Sequence, residues 1–139
     1  MIDQALMHPI NDRTFRFACH KDLPCFTRCC ANLNLFLTPY DVLRLKNRLN
    51  LSSEVFLEHY ATSYVDEKYG LPVVKLKMNK DETRRCPFVS PEGCFVYEDR
   101  PSACRLYPLG RAASKIYEDY GAGEYYFMVK ESHCLGLNE

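Results

Sequence analysis

The sequence predicts an α+β fold: one small domain over residues 1–139, with its core at about 17–134. In that fold two N-terminal helices and short antiparallel hairpins carry cysteine-bearing loops around a metal centre. Three observations carry the expectation. Eight cysteines occur in 139 residues, four of them within Cys19–Cys30. Between Thr38 and Tyr64, apolar residues recur at helical spacing behind two good N-caps. From Pro72 onward, alternating and aromatic runs separated by Gly and Pro read as short strands.

The elements follow in order. Residues 1–18 read as a tail ending in Phe15-Arg16-Phe17-Ala18, whose alternation allows a short strand. The cysteine loop comes next, with Pro24 fitting a turn. Thr38 as N-cap, Pro39 at the first helical position and Asp41 three residues after the cap announce a helix. Leu37 and Val42 have the spacing of a hydrophobic staple. Val42, Leu45 and Leu49 form its apolar face, and Arg44, Lys46, Asn47 and Arg48 its solvated one. Ser52 caps a second helix whose inner face runs through Phe56, His59, Tyr60 and Ser63 or Tyr64. His59 reads as a helix surface residue, since no partner of ligand type stands at helical spacing from it.

Gly70 and Pro72 close the helical part, and Val73–Met78 reads as a strand followed by a polar turn at residues 79–82. Residues 86–89 and 94–97, joined by Ser90-Pro91-Glu92-Gly93, read as a hairpin with Cys86 and Cys94 at facing ends. Asp99 as cap and Pro101 in the first turn open a short helix bearing Cys104 and Arg105. Two strands around 115–117 and 124–129, joined by Gly121-Ala122-Gly123, complete the chain before His133-Cys134.

Composition narrows the function classes. Acidic and basic residues balance at 18 each, so nucleic acid and anionic membranes are not the expected partners. The N-terminus has no basic and apolar signal pattern, and no apolar run reaches the roughly 18 residues that span a bilayer. A cytoplasmic location is expected, where thiols stay reduced. That makes disulfides a weaker account of the cysteines. Free thiols buried as small hydrophobes are the other alternative. Adjacent Cys29 and Cys30 pair badly with each other, and side chains diverging from a vicinal pair suit two separate ligand positions. Thiolates suit zinc, iron–sulfur clusters or copper(I). Spacing does not choose among these. It contains neither paired CxxC knuckles nor the bacterial ferredoxin run, and its third cysteine is misplaced for the CxxxCxxC of radical S-adenosylmethionine enzymes. The metal-ligand candidates are Cys19, Cys25, Cys29, Cys30, Cys86, Cys94, Cys104 and Cys134. His20 and His133 each adjoin a cysteine as further potential ligands. Removing the metal is expected to loosen the fold.

The pattern Cys19…Cys25-x3-Cys29-Cys30, Cys86-Pro87-Phe88, Gly93-Cys94-Phe95-Val96-Tyr97-Glu98, Arg100-Pro101, Cys104-Arg105 and Tyr107-Pro108 resembles the YkgJ-type cysteine-cluster family of zinc- or iron-chelating domains. The resemblance runs from about Phe17 to Cys134. It implies a cytosolic protein with an iron–sulfur cluster or, alternatively, one or two zinc ions. Flagellin lysine N-methylases carry a similar cluster, which implies a link to protein modification. Arg84, Arg85, Arg100, Arg105 and Arg111 gather around the later cysteines and can offset thiolate charge. Of these, Arg100 and Arg105 match the motif, and Tyr97 and Tyr107 are expected to pack at the site. The functions in play are a redox or protein-modifying iron–sulfur protein, a zinc-based structural or interaction domain, and a methylase-like enzyme. The partner expected is an unidentified protein or redox partner. Neither a phosphate-cradling glycine loop nor a nucleophile–base pair is present.

Overall fold

The computed structural model describes residues 7–10, 14–115 and 122–138. It is a mixed α+β structure of three helices and small antiparallel sheets. The chain divides into two compact units: residues 20–105, and the terminal segments 1–19 with 106–139.

The central unit begins with the cysteine loop and continues into α1, Pro39–Arg48. Thr38 and Asp41 form the expected capping box, with Thr38 N–H donating to Asp41 Oδ2 at 2.9 Å and Asp41 N–H to Thr38 Oγ1 at 3.1 Å. Helix α2 spans Ser53–Tyr60, and Ser52 Oγ accepts from Val55 N–H as its cap. Its end departs from the expected face: Ser63 and Tyr64 are not helical. Residues Ala61–Val65 form β2, which pairs antiparallel with β3, Pro72–Leu76. Thr62, Tyr64 and Val65 are strand formers, and pairing along β3 outweighs one more helical turn. The hairpin turns at Asp66, whose Oδ1 accepts from Lys68 and Tyr69 N–H, and at Gly70 with φ +64°.

Leu35 and Leu37 alternate with exposed Phe36 and bond to the other edge of β3 through Leu37 N–H to Val74 O and Leu76 N–H to Leu35 O. The expected hairpin at 86–97 is shorter than its sequence suggests. Strands β4, Val89–Ser90, and β5, Gly93–Cys94, pair Val89 with Cys94, so Cys86 does not face Cys94 across a ladder. Cys86 lies instead in a turn, with Val89 N–H reaching its carbonyl at 3.3 Å. Tyr97–Asp99 form a single 3-10 turn before α3, Ser102–Leu106. Asp99 is therefore not the cap of α3.

The core of this unit is Leu35, Leu37, Leu45, Phe56, Leu76, Phe88 and Val96. Phe56, Tyr60, Phe88 and Phe95 pack in series at centroid separations of 5.6, 5.3 and 5.5 Å, the first pair stacked and the last edge-on. Fully burying Leu45 or Phe56 stabilises by roughly 1.5–3 kcal/mol each. The thiols of Cys86, Cys94 and Cys104 pack directly on this cluster.

The terminal unit holds a three-stranded sheet in the order β1-β7-β6, with β1 Met7–Pro9, β6 Leu109–Lys115 and β7 Ala122–Val129. The strand expected at Phe15–Ala18 is not formed. Met7–Pro9 takes the sheet edge instead, opposite Phe127–Val129. The strand expected at 115–117 begins earlier, at Leu109, and its far end lies outside the described residues. Among the described residues no helix is long and apolar enough to cross a membrane.

Candidate metal centre

The cysteine loop is wound from consecutive tight turns. Leu23 N–H donates to His20 O, Phe26 to Leu23, Arg28 to Cys25 and Cys30 to Thr27, at 2.9–3.1 Å. Thr27 holds φ +65°, and its hydroxyl accepts from Arg85 Nη2 at 2.9 Å. Leu23 and Cys25 are buried. The loop then runs antiparallel beside residues 84–86, with Asn32 N–H to Arg84 O at 2.8 Å and Cys86 N–H to Cys30 O at 2.7 Å. Backbone hydrogen bonding thus sets Cys30 beside Cys86.

The hairpin meets this loop at Gly93. A Cβ added there would lie 3.3 Å from the Phe26 ring, and the backbone holds φ +123°. Both facts call for glycine next to Cys94.

Helix α1 fixes the last element. Arg44 and Arg48 both reach Asp99, with Arg44 Nε at 2.8 Å and Arg48 Nη1 at 3.3 Å, and Arg48 Nη2 donates to Phe95 O at 3.2 Å. The face that patterning assigns to solvent is therefore a clamp on the segment between Cys94 and Cys104. Asp41, 3% exposed, accepts from Ser102 N–H at 2.9 Å and Ser102 Oγ–H at 2.7 Å. The first turn of α3 is capped from another helix, and this docks Cys104.

Four thiols of this unit influence one another's ionisation. Cys30 feels the charges of Cys86, Cys94 and Cys104; Cys104 feels those of Cys86 and Cys94; and Cys86 feels that of Cys94. Burial pushes Cys104 up to about 12, helped by the charges of Cys86, Cys94 and Cys29. Burial likewise raises Cys86 and Cys94. Cys30 moves the other way, held down by its hydrogen bond with Cys29, whose sulfur is 4.0 Å from its own. The vicinal sulfurs therefore lie close together and do not diverge. As the side chains stand, no three His, Cys, Asp or Glu groups among the described residues form a set that could hold a metal ion. The fit of Cys30, Cys86, Cys94 and Cys104 to a metal therefore rests on their chemistry and not on a formed set of ligands. Their chemistry fits a soft cation: four half-buried sulfurs that repel one another when ionised gain most from a positive centre.

The remaining candidates take other places. Arg100 donates through Nη1 to Tyr97 O at 2.6 Å, and its charge partly opposes the upward shifts of Cys94 and Cys104, as that of Arg48 does for Cys94 and that of Arg85 for Cys86. Tyr97 is exposed and stacks on Arg100 at 3.9 Å. Arg84 and Arg105 are exposed. His20 is exposed and faces Asp22 at 3.8 Å, and His59 bonds Val55 O within α2.

Cys19, Cys134, Tyr107, Arg111 and His133 belong to the terminal unit. There Arg111 pairs with Glu124. Tyr107 Oη–H donates to Glu131 at 2.9 Å, and its own ionisation is pushed far up by burial and by hydrogen bonds with Cys134 and Glu131. Glu131 and Cys134 also line a cavity of about 490 Å³ with Phe15, Arg16, Met128 and Lys130.

Sequence reasoning passed over Asp41 as an anchor for α3, and Arg44 and Arg48 as the Asp99 clamp. Their partners lie 51 to 61 residues away, and no local pattern signals such pairs.

A family model, CxxCxxCC, described as "Putative zinc- or iron-chelating domain", matches residues 18–135. No curated protein and no solved structure matches the chain.

Proposed function

The chain belongs to the CxxCxxCC family, described as zinc- or iron-chelating, and on that premise we propose that it holds a thiolate-ligated metal centre on Cys30, Cys86, Cys94 and Cys104. The observation that supports this reading is local: Cys86 N–H donates to Cys30 O at 2.7 Å, and Cys86, Cys94 and Cys104 pack on one core. Arg100, Arg48 and Arg85 offset thiolate charge at its edge.

In its finer form the centre is an iron–sulfur cluster, and the protein carries electrons or serves a modification of another protein. Four cysteines are the usual protein ligands of such clusters, which supply one-electron redox chemistry when bound. Zinc is the second reading. It is favoured by the direct packing of Cys86, Cys94 and Cys104 on the main core, where an ion closed off by four cysteines serves folding.

Anaerobic purification with metal analysis tests both. Iron, inorganic sulfide and a broad band at about 400 nm support the cluster. Stoichiometric zinc in a colourless protein supports the second reading. Protein with neither metal, and no uptake on reconstitution, overturns the proposal.

A further inference from the structure

Strand β2 is an open sheet edge. Its ladder pairs Ala61–Val65 with Leu76–Pro72, and the bonds from Lys77 N–H to Tyr60 O and from Asp66 N–H to Leu71 O flank it at 2.8 and 2.9 Å. Bonded pairs alternate in an antiparallel ladder. Thr62 and Tyr64 therefore bond to β3, and Ala61, Ser63 and Val65 turn their backbone groups outward. The other side of β3 is taken by Leu35 and Leu37. Ala61 N–H is already given to Leu57 O at the end of α2. The outward donors left are Ser63 N–H and Val65 N–H, and among the described residues no backbone acceptor meets them. Thr62 and Ser63 are exposed, as are Tyr64 at 44% and Val65 at 64%. Lysine, proline and bulges are the usual guards of such an edge, and Ala-Thr-Ser-Tyr-Val has none of them.

We propose that β2 is a dimerisation edge, paired antiparallel with β2 of a second copy of this chain. The edge is complementary to itself. With a two-fold axis at Ser63, each Ser63 N–H meets the other Ser63 O, each Val65 N–H meets the other Ala61 O, and Thr62 stands opposite Tyr64. With the axis at Tyr64, the backbones of Ser63 and Val65 pair instead. Both registers satisfy the two outward donors of each copy, and both use the Ser63 amide. No like charges meet, because β2 carries none and the chain's formal net charge is zero. Pairing also extends an exposed apolar face. The registers of Phe36 with Lys75, Thr62 with Lys75 and Tyr64 with Val73 put Phe36, Tyr64 and Val73 on one side of the sheet, and Phe36 is 50% exposed. A two-fold contact of this kind closes on itself and stops at two copies. The inference is independent of the metal centre.

The test is sedimentation equilibrium on the full chain, purified anaerobically and kept reduced so that no disulfide links the copies. The wild type should pass from monomer to dimer, and no further, over about 1–200 μM. Ser63→Pro removes the central donor, and Ser63→Lys adds a guarding charge while keeping the β2–β3 ladder. Each should weaken dimerisation by about 10-fold or more, with far-UV circular dichroism unchanged in Ser63→Lys, which carries the test if the proline variant fails to fold. Phe36→Ser, on the strand farthest from β2, should dimerise as the wild type does. A wild type that stays monomeric throughout overturns the inference and leaves the edge to an extended segment of another protein. Folded Ser63→Lys that dimerises as the wild type does overturns it too. Loss of the dimer in Phe36→Ser, with the Ser63 variants unaffected, would replace edge pairing by packing of the sheet face.

Discussion

Replacing Asp41 with Asn tests the joint between α1 and α3. The carboxylate accepts three hydrogen bonds, from Thr38 N–H, Ser102 N–H and Ser102 Oγ–H, in a position 3% exposed. Hydrogen bonds to a charged group are worth about 1.5–3 kcal/mol each. An Asn amide has one acceptor oxygen, so its NH2 must oppose either Thr38 N–H or the Ser102 pair. At least one bond becomes a donor–donor contact, and the others lose the charge. The expected loss is about 2–3 kcal/mol of unfolding free energy at neutral pH. The pH dependence gives the sharper check. Burial alone would raise the Asp41 carboxyl, but hydrogen bonds from Ser102 and Thr38 outweigh it, and the net shift is downward. A depressed folded value stabilises above the unfolded carboxylate value of about 3.9. That stabilisation disappears as pH falls through the lower folded value. Urea unfolding of the reduced, metal-free protein, followed by tyrosine fluorescence, should show a gap between wild type and Asp41→Asn that is constant at pH 5–7 and closes in acid. Equal stability at pH 7, or a gap that persists unchanged in acid, would refute the anchoring role.

Further expectations concern the same site. Gly93→Ala forces a side chain to adopt φ +123° against the Phe26 ring and should cost about 1–3 kcal/mol in the same unfolding assay. A neutral result would mean that loop and hairpin are not in register. Arg100→Gln removes a positive charge that favours the thiolates of Cys94 and Cys104. Metal competes with protons for those sulfurs, so its binding curve against pH should move upward, with weaker binding at pH 7; an unmoved curve contradicts the role. Stripping the metal with a chelator should lower the thermal midpoint, because a metal bound to the folded state alone stabilises it by mass action. An identical melt with and without metal would exclude a folding role.

Much of the central unit was legible where the deciding chemistry is local. Thr38, Pro39 and Asp41 define the start of α1 within four positions, and Ser52 does the same for α2. The cysteines announce soft-metal chemistry by number and residue type alone. What the sequence could not convey depends on partners far along the chain. Strand β2 exists because β3 lies beside it, although its residues also continue the periodicity of α2. The charged face of α1 looks solvated until Asp99 arrives from 51 to 55 residues away. Cys86 and Cys94 look paired by their turn, yet Cys86 is set beside Cys30 by a backbone bond across 56 residues of chain.

Sulfur coordination at the metal is the most direct measurement of all. X-ray absorption on the anaerobically purified wild type should give an all-sulfur first shell. Serine at Cys30, Cys86, Cys94 or Cys104, taken singly, should each lower metal content or replace one sulfur by oxygen. A nitrogen- or oxygen-dominated shell in the wild type, or four serine variants that all keep the wild-type spectrum and metal content, would contradict the account.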